Sequence, residues 1–190
     1  MATLKVKHIP NVITLLRVAL MPLLLYFLLQ KYYITALIIF MIAGASDGLD
    51  GYLAKKFQWQ SRFGSIADPL ADKLLMLVSY GYLTYAGFMP LWLFFIVFGR
   101  DIFIVSAAIS FHIFLGPFEM KPTLTSKFNT LMQIILVTYV MYSLVFIHIP
   151  VSVTEYLIVT VGITSVVSGL QYVWIGYQTA KQRIELKKVD

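Results

Sequence analysis

Four aspartates lie in one short window that also contains several glycines, although the whole chain has only nine acidic residues. Asp47 and Asp50 are three positions apart near the end of one apolar segment. Asp68 and Asp72 are four positions apart near the start of the next. On a helix, both spacings place the two carboxylates on one face. The short link at residues 57–63 predicts an antiparallel helix pair, so all four carboxylates can converge at one depth.

Such a cluster indicates metal chemistry. A carboxylate inside a membrane costs about 2.5–3.5 kcal/mol on insertion scales, and four together also repel one another. Asp oxygens suit Mg²⁺ or Mn²⁺, and Mg²⁺ is usually held by carboxylates together with a substrate's phosphates. We therefore predict a cytoplasm-facing metal site for a phosphate-bearing ligand. A structural alternative makes Asp68 an N-cap before Pro69, and a functional alternative is a cation or proton transporter.

The composition excludes a soluble or a disordered protein. Apolar residues make up 59% of the chain and charged residues 13%, against about 45–50% and about 25% in soluble domains. The chain has no cysteine, which excludes a disulfide scaffold, a thiolate metal site and a cysteine nucleophile. In so apolar a chain, the net charge of +6 indicates anionic lipid as a partner rather than nucleic acid.

The elements that must position the aspartates are apolar segments of membrane-spanning length. We predict an all-α integral membrane protein with six transmembrane helices in a single domain covering residues 1–190. Glycine and proline residues occur in the links between the later spans and interrupt the helices there. The six predicted spans are Asn11–Leu29, Tyr33–Phe57, Ala67–Tyr85, Pro90–Leu115, Ser126–Ile147 and Thr154–Ala180.

The distribution of Lys and Arg predicts the orientation. With the N-terminus inside, Lys31 is the single basic residue in an outside loop, which places both termini in the cytoplasm. Lys5 and Lys7 precede an apolar run that is too long for a cleavable signal. A bacterial inner membrane fits this pattern, with a mitochondrial inner membrane as the alternative.

Other polar residues in the spans are further candidates. Arg100 lies deep in the fourth span, where an arginine needs an anion, either Asp101, one of the four clustered aspartates or a ligand phosphate. Lys127 opens the fifth span as an interfacial anchor, with Ser126 or Thr125 as the helix cap, or it faces an anionic headgroup.

The first span carries a polar face of its own. Asn11, Thr14 and Arg17 are spaced i, i+3 and i+6. We predict that this face turns into the helix bundle, with Asn11 as an N-cap or as part of a wall closing a nucleotide or lipid pocket.

The aspartate window resembles the signature of the CDP-alcohol phosphatidyltransferases. It reads Asp-x2-Asp-Gly-x2-Ala-Lys, followed by Gly-x3-Asp-x3-Asp, and the family normally has Arg where Lys55 stands. The resemblance implies transfer of a phosphatidyl group from CDP-diacylglycerol to an alcohol, with release of CMP. It implies two bound divalent ions, Mg²⁺ or Mn²⁺. It also implies a homodimer, because members of the family are often dimers.

The resemblance also implies roles for individual residues. Three aspartates would hold the metals, and Asp72 would both lie near the second metal and act as the general base. Gly51 and Ala54 would lie against the cytidine. From the residues alone, Gly51, Ala54 and Gly64 indicate either close helix packing or room for a flat ring or phosphate to approach the backbone. Lys55 keeps the charge of the usual Arg without its guanidinium fork. The three metal-holding aspartates are Asp47, Asp50 and Asp68.

The acceptor is predicted from the segments around Arg100 and Lys127. Both resemble the eukaryotic-type cardiolipin synthases more than the glycerol-3-phosphate enzymes, which implies phosphatidylglycerol, an anionic lipid, as the acceptor. A phosphatidylglycerophosphate synthase is the alternative within the family. A transporter would need acidic groups on both halves of the membrane or inverted repeats, and a scaffold without activity leaves the four carboxylates unexplained.

Overall fold

The regular elements of the computed structural model are α-helices throughout the residues it describes, 9–56, 62–115, 123–146 and 150–186. This confirms the all-α prediction for that part of the chain. The described ranges contain six helices: α1 Ile9–Leu29, α2 Tyr33–Lys56, α3 Arg62–Tyr85, α4 Leu91–Leu115, α5 Leu124–Val145 and α6 Val151–Leu186. Each corresponds to one predicted span, since an uninterrupted apolar run of this length predicts a helix.

The largest differences concern the end of α6, which lies at Leu186 rather than at Ala180, and the start of α3, which lies at Arg62 rather than at Ala67. Pro69 therefore lies inside the helix and not at its first position. A proline inside a helix removes one backbone donor and crowds the carbonyl four residues earlier, and α3 nevertheless continues through Pro69 to Tyr85. The interpretation of Asp68 as an N-cap is consequently wrong, because a full turn of helix precedes it.

One compact unit consists of Met1–Phe88 and Val137–Ile149. Within it α1 packs against α2 and α3, and Leu24, Leu28 and Phe40 are fully buried between the helices. The polar face of α1 also turns inward, as its spacing predicts.

A second compact unit consists of Met89–Leu136 and Pro150–Asp190. Here α4 packs against α6, and the two helices approach closely where the ring of Trp92 lies on Gly162. A Cβ on Gly162 would come within 2.9 Å of the Trp92 ring, so only glycine fits there without displacing it. The first part of α5 belongs to this unit and its last part to the other, and the assignment of one domain stays a prediction.

Two helical stretches are long and apolar enough to cross a membrane, Leu124–Val145 and Ser152–Thr179. Only 33% and 28% of their apolar windows are buried inside the protein, which favours lipid-facing helices over the core helices of a soluble protein. Ile13–Leu29 and Tyr33–Ser46 are shorter apolar stretches. These features are consistent with a membrane protein, and the count of six spans and their orientation stay predictions.

Helix α1 ends in a Schellman motif. The backbone N–H of Lys31 donates to the Leu28 carbonyl at 3.0 Å, and the N–H of Tyr32 donates to the Phe27 carbonyl at 2.9 Å. Lys31 takes the left-handed conformation of this motif, with φ at 60°. A side chain at positive φ is strained, because its Cβ crowds the following carbonyl oxygen.

Helix α3 ends in the same motif with glycine at the corresponding place. Gly87 has φ at +81° and no atom within 4 Å of where a Cβ would stand. The N–H of Phe88 donates to the Leu83 carbonyl at 2.8 Å. The two helix ends thus share one geometry and differ in whether the left-handed residue carries a side chain.

We expect Lys31→Gly to stabilise the protein by about 1 kcal/mol, because it relieves the left-handed strain. Gly87→Ala should destabilise it by a similar amount for the same reason. The measurement is the thermal unfolding midpoint of the purified protein in detergent. Gly44→Ala is the control. Gly44 is helical and has open space around it, so this substitution should stabilise the protein instead. Equal midpoints for Lys31→Gly and the wild type would contradict the assigned strain.

Candidate functional site

The aspartate signature spans the end of α2 and the start of α3, two helices in contact with each other. Asp47 and Asp50 occupy helical positions on α2, so their spacing does place them on one helix face. The side chains of six predicted site residues on these helices lie outside the described part of the structure, and their roles stay predictions: Asp47, Asp50, Gly51, Ala54, Lys55 and Gly64.

Asp68 and Asp72 are described, and they lie one turn apart on α3. Because α3 is continuous from Arg62 to Tyr85, the two carboxylates project from the same face. Both side chains are half-buried. Half-burial next to apolar helix surface strengthens the field of a carboxylate pair and favours binding of a cation.

A hydroxyl group from α1 orients the first of these carboxylates. Thr14 Oγ1 donates to Asp68 Oδ1 at 2.5 Å, and Thr14 itself is 1% exposed. An ionised carboxylate accepts about four hydrogen bonds, so one donor fixes the orientation of Asp68 and leaves capacity for a cation. Hard divalent cations prefer such oxygen ligands, so Asp68 and Asp72 have the chemistry of the predicted metal site. Among the residues that the structure describes, no group of three or more His, Cys, Asp or Glu side chains is placed to hold a metal ion, and the metal site stays a prediction.

Arg17 follows Thr14 on the same buried face of α1. It is fully buried, while Leu15 and Leu16 next to it are 64% and 57% exposed. Burial confirms the predicted inward turn of this face. The side chain of Asn11 lies outside the described part. The predicted ligand-binding residues do not include Arg17. Its i, i+3, i+6 spacing with Asn11 and Thr14 is the sequence pattern that indicates its burial on this face.

In the second unit, Arg100 of α4 is the centre of a polar network, with only 7% of its side chain exposed. Its Nη1 pairs with Asp101 Oδ1 at 2.6 Å. Its Nη2 donates to Ser126 Oγ on α5 at 2.5 Å and to Ser168 Oγ on α6 at 2.6 Å. The guanidinium carbon lies 5.8 Å from the centre of the Tyr172 ring. Pairing with Asp101 thus satisfies the need of this arginine for an anion.

The Arg100 network retains binding capacity. Arg100 Nε is buried and has no hydrogen-bond partner among the residues that the structure describes. A guanidinium has five donors, and a buried donor without an acceptor is unfavourable. An oxyanion reaching Nε would remove this penalty.

A second polar cluster lies deeper between α5 and α6. Asn129 Oδ1 accepts hydrogen bonds from Thr164 Oγ1 at 2.8 Å and from Ser165 Oγ at 3.0 Å. Sequence reasoning missed the partners on α6. The spacing of Ser165, Ser168 and Tyr172, i, i+3 and i+7, is the pattern that predicts a shared buried face.

Lys127 lies in the first turn of α5 and is exposed, so the structure does not bring it into the Arg100 network. The cap of α5 is Thr123, whose Oγ1 accepts from the Ser126 N–H at 3.1 Å. The expected caps, Ser126 and Thr125, are wrong because the helix begins at Leu124, one residue before Thr125. Ser126 binds Arg100 instead.

The comparisons with known proteins bear on both units. A sequence model described as CDP-alcohol phosphatidyltransferase matches residues 7–173. Cardiolipin synthases (CMP-forming) of Rattus norvegicus and Homo sapiens are each 32% identical over 189 residues, covering 91% of this chain and 63% of those proteins. The chain therefore spans less than two thirds of the length of these curated relatives.

A bacterial relative carries the other activity considered above. The CDP-diacylglycerol–glycerol-3-phosphate 3-phosphatidyltransferase of Aquifex aeolicus is 36% identical over 127 residues, covering 65% of this chain and 70% of that protein. The resemblance drawn from the aspartate signature is confirmed, because the matched region includes the whole signature and nearly all six helices. The chain thus belongs to the CDP-alcohol phosphatidyltransferase family.

Proposed function

We propose that this protein transfers the phosphatidyl group of CDP-diacylglycerol to phosphatidylglycerol, forming cardiolipin and releasing CMP. The observation that carries the proposal is the Asp68–Asp72 pair on one face of α3, oriented by Thr14, within a chain of this family. The choice of acceptor is supported by relatives named cardiolipin synthase that align along 91% of the chain.

The aspartates of the signature would hold two divalent ions, Mg²⁺ or Mn²⁺. When bound, the ions neutralise the diphosphate and stabilise charge on the attacking and leaving oxygens. Thr14 keeps Asp68 oriented through its hydroxyl hydrogen bond. Oriented carboxylates hold cations better because less conformational freedom is lost on binding. The four proposed metal-binding residues are Asp47, Asp50, Asp68 and Asp72.

Asp72 is the proposed general base. It accepts the proton of the acceptor hydroxyl, provided that the two groups come within hydrogen-bond distance. The hydroxyl oxygen then bonds to the phosphorus that carries diacylglycerol. The bond from this phosphorus to the CMP oxygen breaks, and CMP leaves with the electron pair.

The donor nucleotide is proposed to lie against the end of α2 and the start of α3. Small residues there, Gly51, Ala54 and Gly64, let a flat base and phosphates approach the backbone. Lys55 supplies positive charge to the phosphates as a compact ammonium rather than a bidentate fork.

The acceptor is proposed to be recognised through its phosphate by Arg100 and Lys127. Arg100 has a buried Nε without a partner in the described part of the chain, which suits a phosphate oxygen. Asn11 and Thr14 are proposed to close the ligand pocket from α1. A phosphatidylglycerophosphate synthase that uses glycerol-3-phosphate is the second candidate, favoured by the Aquifex aeolicus relative.

We further propose an integral membrane enzyme with six spans, both termini in the cytoplasm and the site facing the cytoplasm. The exclusion of basic residues from the outside loops, Lys31 excepted, supports this orientation. A bacterial inner membrane is the proposed location, with a mitochondrial inner membrane as the alternative, and a homodimer is the proposed assembly.

The acceptor is tested by competition. Purified protein receives CDP-diacylglycerol, Mg²⁺ or Mn²⁺, and equal amounts of phosphatidylglycerol and glycerol-3-phosphate, and the lipid products are identified by mass spectrometry. We expect cardiolipin and CMP in equal amounts, and loss of both products after chelation of the metal. Phosphatidylglycerophosphate as the product would instead establish the second candidate.

Asp72→Asn should lower kcat by about 10²–10⁴-fold, because the amide cannot accept the proton. Binding of CDP-diacylglycerol, measured by isothermal titration with metal present, should persist in part. Glu155→Gln makes the same carboxyl-to-amide change at an exposed position of α6 and should retain full turnover. Wild-type turnover by Asp72→Asn would remove Asp72 from the role of base.

Thr14→Val keeps the shape of the side chain and removes the hydroxyl that orients Asp68. We expect the metal concentration for half-maximal activity to rise about 10–100-fold, with little change in the unfolding midpoint. Thr14→Ser restores the hydroxyl and should restore the metal dependence. An unchanged metal dependence in Thr14→Val would show that this hydrogen bond is unconnected to cation binding.

A further inference from the structure

One face of α6 carries a continuous groove that the proposed chemistry leaves without a role. Two cavities within the second compact unit share Val167, one of about 320 Å³ and one of about 730 Å³. The α6 residues that line them run from Val159 to Ile175 at spacings of three and four. Sixteen steps at 1.5 Å give a length of about 24 Å, and we call this feature the α6 groove.

The two ends of the α6 groove differ in chemistry. The 320 Å³ cavity is lined by apolar side chains and one glycine, with Trp92 and Ile96 of α4 forming its far wall. The 730 Å³ cavity includes Thr123, Thr125 and Gln171 beside apolar residues. The groove therefore has a fully apolar end and a polar end.

The polar end contains an unused hydrogen-bond acceptor. Gln171 Oε1 is buried and has no partner among the described residues. A buried acceptor without a donor is unfavourable, and a ligand that brings a hydroxyl group would satisfy it.

The apolar walls are open to the surroundings. Ile163, Val166 and Leu170 are 58%, 47% and 64% exposed. The Trp92 ring lies on Gly162, where a Cβ would come within 2.9 Å, and it lines the apolar end of the groove together with Ile96 of α4. The other lining residues of this end belong to α6.

We propose that the α6 groove binds one acyl chain of phosphatidylglycerol, with a headgroup hydroxyl donating to Gln171 Oε1. The assignment of this lipid rests on the proposed function. From Gln171 to Val159 the groove extends over twelve residue steps, or about 18 Å. This is more than half of the roughly 30 Å hydrocarbon core, so the groove accommodates an extended acyl chain. The polarity of the groove matches a phospholipid, whose apolar tail continues into a hydroxyl-bearing head.

Tryptophan quenching tests the proposal directly, because Trp92 lines the apolar end. A variant with Trp59→Phe and Trp174→Phe leaves Trp92 as the single tryptophan. It is placed in phosphatidylcholine nanodiscs containing increasing amounts of phosphatidylglycerol brominated in its acyl chains. We expect quenching that saturates at low mole fraction and is reversed by unlabelled phosphatidylglycerol, whereas brominated phosphatidylcholine quenches only in proportion to its mole fraction.

Matched variants locate the site. Val166→Phe and Ile163→Phe each place a larger side chain in the groove. Each should raise at least fivefold the mole fraction of brominated phosphatidylglycerol that gives half of the maximal quenching. Val173→Phe is the control, since Val173 is half-exposed on α6 but does not line the groove. Gln171→Leu should leave binding of the acyl chain intact and abolish the preference for phosphatidylglycerol over phosphatidylcholine.

Equal, unsaturable quenching by the two brominated lipids would overturn the inference and make the groove ordinary lipid-facing surface. This comparison uses the reporter protein without a groove-filling variant, so it stands even if a filled variant fails to fold. The one groove residue changed in the reporter is Trp174 at the polar end, where phenylalanine keeps an aromatic ring. The same preparation is assayed for cardiolipin synthesis. Saturable quenching without cardiolipin would reject the proposed acceptor and keep the groove, and cardiolipin without saturable quenching would reject the groove alone.

Discussion

Charged side chains in apolar surroundings need partners, and this constraint organises the described structure. A lone charge in a hydrocarbon environment is unfavourable by several kcal/mol. Arg100 meets the constraint with a carboxylate and two serine hydroxyls drawn from three helices. Asp68 meets it in part with a hydroxyl from α1. Each satisfied charge therefore also holds helices together.

The same constraint explains why, in the first unit, a helix that packs against α3 also orients a carboxylate of the proposed metal site. A helix that donates a hydroxyl hydrogen bond to a carboxylate of the proposed metal site cannot move without disturbing that carboxylate. Thr14 on α1 and Asp68 on α3 are far apart in the chain and come into contact only because α1 packs on α3. The apolar contacts of α1 thus contribute to the proposed metal site by holding a donor in place.

In the second unit, some buried polar atoms lack a hydrogen-bond partner among the described residues. Their chemistry indicates which ligand groups would complement them. Arg100 Nε and Gln171 Oε1 are buried without partners in the described part of the chain. One is a donor and the other is an acceptor. A lipid with a phosphate and a hydroxyl-bearing headgroup offers both complementary groups, which links the proposed acceptor with the proposed groove through ordinary hydrogen-bond chemistry.

The sequence alone determined the helical class, the order and approximate position of the helices, and the family, because long apolar runs, breaking residues and a fixed signature are all local patterns. It also predicted the inward face of α1 from the spacing of Thr14 and Arg17. Local patterns do not report contacts between distant segments. Only the tertiary structure paired Thr14 with Asp68, joined Arg100 to Ser168, and carried α3 through Pro69, since each depends on how helices pack or on whether a helix continues past a lost hydrogen bond.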